Sequence, residues 1–143
     1  MPIVARETTS SVTCKEFPVK KTGWILTVLL LAFLLPASVA PKLLALPVAV
    51  ETMVQIGWSP DFLVPLGILE LTLLALYTWP RTAPLGALLF TALLGGATAA
   101  HLRVGSPLAS HTLFGLYLGV ILWVSLYLRD PALREFLRNC LRR

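Results

Sequence analysis

Glu70 is the most informative residue in this chain. It stands inside the stretch Phe62–Trp79, FLVPLGILELTLLALYTW, which is otherwise free of charge. A carboxylate in such a segment can close an ion pair that fixes helix register, relay a proton, or meet the polar end of a ligand. Its candidate partners are Lys42, His101 and Arg103. Both a Glu70–Lys42 and a Glu70–Arg103 pair are open, because long basic stems reach several ångströms along a bundle. Thr91, Thr98 and His101 fall on one face of their segment, giving a partly polar stripe that looks toward Glu70. Two readings stay open for this group: a buried ion pair with no ligand, or a small polar pocket for a headgroup, a quinone or another small molecule.

Other chemistry is harder to assemble. His101 reads as an interfacial hydrogen-bonding residue: His111 lies ten residues away, and no carboxylate at metal-ligand spacing completes a set. No metal site is therefore expected. Cys14 and Cys140 form no C-x-x-C, so a dithiol redox centre has no residues to use. No cofactor motif is evident, and a quinone is the candidate carrier. No catalytic set is legible.

The elements that must position these residues follow from composition. The chain has 143 residues, 57% hydrophobic and 13% charged, and a mean hydropathy of +0.80. Soluble domains carry about 25% charge, and so small a fold would need more than this to cover its surface. An all-α polytopic membrane protein remains. Thr22–Pro41, Thr82–Leu102 and Val104–Leu128 are charge-free runs of 20, 21 and 25 residues, and about 20 apolar residues cross a bilayer. With the Glu70 stretch they predict a four-transmembrane-helix bundle over 23–128, with helices about 24–40, 62–79, 85–102 and 108–128. Trp24, Trp58, Trp79 and Trp123 fall at or near the predicted span ends, where an indole prefers to sit. Asp61 is placed to cap the second span. Pro80 and Pro84 bracket a turn short enough to make the second and third spans antiparallel neighbours.

Basic residues set the expected orientation. Ten of the twelve lie in the tail 1–22, at Arg81 and in the tail 129–143, leaving only Lys42 and Arg103 on the other side. That bias predicts both termini on the cytoplasmic side, with Glu70 about 12 Å deep from the outer face. Lys20–Lys21, the apolar run after them and Ala37–Ala40 also resemble a secretory signal with a cleavage site. Pro41 directly after the cut and the long tail before the basic pair argue for retention.

Between the first two spans, Pro47–Ser59 is too short and polar to cross. Val50, Met53, Val54 and Gly57 share a face, which predicts a short amphipathic helix at the outer interface, serving as a connector or as a lid. The tail RDPALREFLRNCLRR sets Leu133, Phe136, Leu137 and Leu141 on one face among arginines, which suits a helix lying on anionic headgroups. Nothing interleaves basic and aromatic residues in a nucleic-acid-binding pattern, so the expected partner is the lipid bilayer. Ala92, Gly96 and Ala100, and Gly115-x-x-x-Gly119, allow close helix approach. Packing within one chain is the expected use, with a homo-oligomer as the alternative.

From Pro36 to Leu133 the chain resembles the DoxX-like family of small bacterial four-helix membrane proteins. The resemblance rests on Ala40–Pro47 (APKLLALP), Val50–Trp58 (VETMVQIGW), Leu66–Pro107 and Gly119–Arg134. Within these lie the interior Glu70, the P-R-T-x-x-L-G turn, the small-residue helix and the H-L-R-V-G exit. It implies a four-helix fold with cytoplasmic termini and Lys42, Glu70, His101 and Arg103 as the characteristic polar positions. The wider superfamily takes its name from membrane subunits of a thiosulfate:quinone oxidoreductase. The expected function is an accessory component of a redox or respiratory system, working beside a redox-enzyme partner and without catalysis of its own. A membrane subunit of a quinone-linked oxidoreductase is the alternative, with Glu70 or His101 relaying protons. A small-solute carrier is a third possibility, for which four short spans leave little room.

Overall fold

The computed structural model describes residues 16–107 and 113–142. Cys14 and His111 lie outside them. No strand occurs among the described residues. Helix α1 (Glu16–Leu34) runs through a π-helical turn, Leu35–Val39, into the short α2 (Ala40–Leu43). A short helix, α3 (Pro47–Gln55), is followed by a 3-10 turn, Pro60–Phe62, and by α4 (Leu63–Thr78). Then come α5 (Ala83–Arg103), α6 (Phe114–Arg129) and α7 (Pro131–Leu141).

The first helix starts before Trp24, so Lys20 and Lys21 are helical rather than part of a tail. Pro18 does not prevent this, because in a first turn its missing N–H is no loss. The wide turn further along also has a local cause. Pro36 and Pro41 offer no N–H, and each ring crowds the carbonyl four residues earlier. Widening the turn, so that the Ala40 N–H donates to the Leu35 carbonyl, moves those carbonyls aside.

Three helices end in the same way. After α2, the Leu46 and Ala45 N–H groups donate to the Pro41 and Lys42 carbonyls. After α3, Trp58 and Gly57 donate to Met53 and Val54, and after α5, Ser106 and Gly105 donate to His101 and Leu102. This paired pattern needs one left-handed residue. Glycine supplies it twice, at φ +75° and +67°, but Ala45 takes it at φ +46°.

The long helices pack in a ring: α1 on α6, α6 on α5, α5 on α4, and α4 onto the π turn and α2. Leu30, Leu34, Leu73, Leu74, Phe90, Leu122 and Leu126 fill its centre. Outside, Val28, Leu29, Ile68, Leu88, Leu116 and Val120 are exposed. A surface this apolar over whole helices suits lipid rather than water. Val19–Leu43, Pro60–Thr78 and Ala83–Arg103 are long and apolar enough to cross a membrane. Helix α6 has 16 residues, and it qualifies only when counted together with α7, which turns away from it by 100°.

The elbow between them is written in two residues. Pro131 forces the residue before it out of helical geometry, and Asp130 is extended (φ −107°, ψ 104°). Its Oδ1 then accepts the Ala132 and Leu133 N–H groups at 3.0 and 3.2 Å, starting α7 afresh. Ahead of α4 the cap is Ser59, at the start of the 3-10 turn, whose hydroxyl accepts the Asp61 N–H and donates to the Asp61 carboxylate. The cap is thus two residues earlier than the position expected from sequence, because Asp61 is already inside the 3-10 turn.

Candidate functional site

Ser38 sits in the π turn and Lys42 four residues later, so the two share a helical face. Both look at Glu70 on α4. Lys42 Nζ donates to Glu70 Oε2 at 2.5 Å and to Ser38 Oγ at 2.7 Å, and Ser38 Oγ donates to the same Oε2 at 3.0 Å. The triangle closes on one carboxylate oxygen. No described residue donates to the other, Oε1. Glu70 is 4% exposed, while the lysine side chain keeps 29% of its surface accessible. Close packing holds α2 to α4 here: a methyl placed on Gly67 would meet Leu43 and Lys42 side-chain atoms at 3.0–3.1 Å.

Of the two partners open to Glu70, the structure takes Lys42. Arg103 instead donates through Nη2 to the Ile56 carbonyl at 2.6 Å. Ile56 ends α3, and its carbonyl has no partner within that helix, so a cation there complements the helix terminus. Arg103 therefore ties the end of α3 to the end of α5. His101 Nδ1 lies 3.1 Å from Ser106 Oγ, inside the turn that terminates α5.

These elements enclose a cavity of about 640 Å³. Ser38, Lys42 and Glu70 line one side, and Thr98 and His101 on α5 line another. Thr52 and Met53 of α3 and Ile56 just after it contribute as well, so this short helix forms part of the wall in addition to connecting its neighbours. Most of the lining is apolar, including Phe33, Leu66, Leu93, Phe114 and Leu118. The volume falls in the ~300–1,000 Å³ range of small-molecule sites, which pair apolar walls with a few convergent polar groups.

Two sequence expectations change here. The stripe Thr91–Thr98–His101 divides. Thr98 and His101 line the cavity, whereas Thr91 accepts the Trp123 indole N–H at 2.9 Å and faces α6. Trp123 is accordingly an internal donor within α6 instead of an interfacial anchor. The small residues of α5 also divide. Ala92, Gly96 and Ala100 line the cavity, and a methyl on Gly96 would meet nothing within 4 Å among the described residues. Close approach belongs to Gly115, where a methyl would lie 2.8 Å from Thr98 Oγ1. The smallness at positions 92, 96 and 100 thus makes volume rather than a packing seam.

A family model described as the DoxX-like family matches residues 25–125. The chain belongs to the DoxX-like family. No curated protein and no solved structure matches it. The DoxX-like segment contains Lys42, Glu70, His101 and Arg103, along with every residue lining the cavity.

A second polar cluster, at the other end of the ring, was passed over by sequence reasoning; it includes Tyr77 and Ser125 within the matched segment and Trp24 and Arg129 just outside it. Arg129, 5% exposed, donates to the Tyr77 carbonyl, which lies in the last turn of α4. Its guanidinium carbon lies 4.4 Å from the Tyr77 ring centre and 4.9 Å from that of Trp24. The Tyr77 hydroxyl bonds the Leu122 carbonyl at 3.1 Å and the Ser125 hydroxyl. In the sequence, Arg129 reads as one tail arginine among five. The adjacent Asp130-Pro131 was the available sign that its helix ends there.

Proposed function

We propose that this small DoxX-like membrane protein uses its cavity to hold the polar head of a lipid-soluble molecule, as an accessory component of a redox or respiratory system. The observation that carries the reading is the pairing of Lys42, Ser38 and Glu70 Oε2 on the wall of a largely apolar cavity of about 640 Å³. An ion pair serving helix register alone needs no such volume beside it. A quinone head fits the polar groups: Lys42 offers an N–H to a carbonyl oxygen, Glu70 Oε1 is available to a hydroxyl, and His101 stands on the facing wall. The apolar walls suit a prenyl chain.

The proposed setting is a four-helix bundle in the bacterial inner membrane with both termini cytoplasmic. The distribution of basic residues supports it. Lys20, Lys21, Arg81 and Arg129 belong to one end of the ring, and Lys42 and Arg103 to the other. Membership in a quinone-linked oxidoreductase is the second reading, favoured by Glu70 and His101 facing one cavity, as a proton path to a bound carrier would require.

Trp58 lines the cavity, which supplies a probe. Titrating purified protein with a short-chain quinone should give saturable quenching that is lost in Trp58→Phe. Glu70→Gln should weaken it about tenfold, the equivalent of about 1.4 kcal/mol. Absence of saturable quenching, together with no quinone in lipid extracted from the purified protein, rejects the proposal.

A further inference from the structure

The elbow between α6 and α7 holds a second hollow that the proposed function does not use. Arg129 is nine-tenths buried, yet its two terminal nitrogens fare differently. Nη2 donates to the Tyr77 carbonyl, while Nη1 is buried with no acceptor among the described residues. A buried charged donor without an acceptor is costly, and such groups are rarely left so. Beside it lies a cavity of about 210 Å³, lined by Lys20, Trp24, Arg129, Asp130 and Pro131 among others. Lys20 makes no hydrogen bond or ion pair with a described residue. Asp130 is the single acid in the lining, and its Oδ1 already accepts two backbone N–H groups. Two cations therefore face one carboxylate, which leaves an excess positive charge in the lining.

We infer that this elbow pocket binds a phosphate group through Lys20 and Arg129, either the headgroup phosphate of an anionic phospholipid or free phosphate. Its place at the end of the ring suits headgroup depth. It sits where the ring ends, and α7 leaves at 100°, lying across the bundle axis with Phe136, Leu137 and Leu141 exposed. An anion supplies the acceptor that Nη1 lacks and neutralises Lys20, while the Trp24 and Tyr77 rings hold the guanidinium in place.

The test uses the full chain in nanodiscs of phosphatidylcholine with a minor fraction of phosphatidylglycerol, and native mass spectrometry to count retained lipid. Wild type should retain phosphatidylglycerol preferentially. Lys20→Gln should reduce that preference about fivefold, as expected for roughly 1 kcal/mol per basic residue near an anionic surface. Arg138→Gln/Arg142→Gln, in and just after α7 and outside the pocket lining, should reduce it less than Lys20→Gln does. Arg129→Gln also removes the contact to Tyr77 and is expected to impair folding, so Lys20 carries the test. Inorganic phosphate that stabilises the detergent-solubilised protein in a Lys20-dependent way, with no lipid preference, supports the site with free phosphate as its source. Retention that follows the α7 arginines and ignores Lys20, or equal retention of both lipids without a phosphate effect, overturns the inference.

Discussion

The Lys42–Glu70 pair is asymmetric, and the asymmetry can be measured. Replacing Lys42 by Met leaves a carboxylate whose side chain is 5% exposed with only the Ser38 hydroxyl as donor. Breaking a buried pair in this way costs about 3–5 kcal/mol, and the cavity alongside, which admits water, puts the expected loss near the lower figure. Replacing Glu70 by Gln keeps an oxygen for both donors. The lysine, 29% exposed, can also turn toward the opening. The expected loss is that of weakening a charge-assisted hydrogen bond, about 1–1.5 kcal/mol. In the double variant no charge is stranded, so its loss should fall below the sum of the two by about 2 kcal/mol. Unfolding in mixed micelles with increasing dodecyl sulfate, followed by tryptophan fluorescence, gives all three values. Equal losses for the two single variants, or additive losses in the double, would refute the reasoning.

Four other outcomes are expected from the same structure. Gly23→Ala places a methyl 2.6 Å from the Arg129 backbone nitrogen and 2.8 Å from the Ser125 carbonyl oxygen, so stability should drop by at least about 2 kcal/mol. Gly95→Ala meets nothing within 4 Å and should raise stability by about 0.5–1 kcal/mol in the same unfolding assay. Ala45→Gly relieves an alanine at φ +46° and should stabilise by about 1 kcal/mol, a gain that Gly57→Ala, at φ +75°, should mirror as a loss. Arg103→Ala frees the end of α3 from α5, so amide exchange at Gly57 and Trp58 should speed up about fivefold while the α4 amides stay unchanged.

Much of the architecture is legible in the sequence because apolarity and helix stops are local signals. The charge-free runs and the Pro80–Pro84 turn depend on residues a few positions apart. Glu70 was conspicuous for the same reason, as a single charge among leucines. The choice between Lys42 and Arg103 was not legible. It depends on the π turn, which swings Lys42 toward α4, and on the unpaired Ile56 carbonyl, which draws Arg103 away. Nor could sequence tell that Ala92, Gly96 and Ala100 border open volume, since small residues serve voids and tight seams alike. The Tyr77–Ser125–Arg129 cluster escaped because its members lie 48 and 52 positions apart and each is ordinary where it stands.

The five residues Leu35–Val39 form a phase step in the longest rod of the molecule. Each residue of an α-helix advances about 100° around its axis. Were the same residues to tighten into regular α geometry, everything beyond them would rotate by about that much, and the ammonium of Lys42 would swing off the carboxylate of Glu70 while both rods kept their places. Deleting one residue within the step would do the opposite, straightening the rod and preserving the bearing of Lys42. The polarity of the cavity is thus geared to a local winding number.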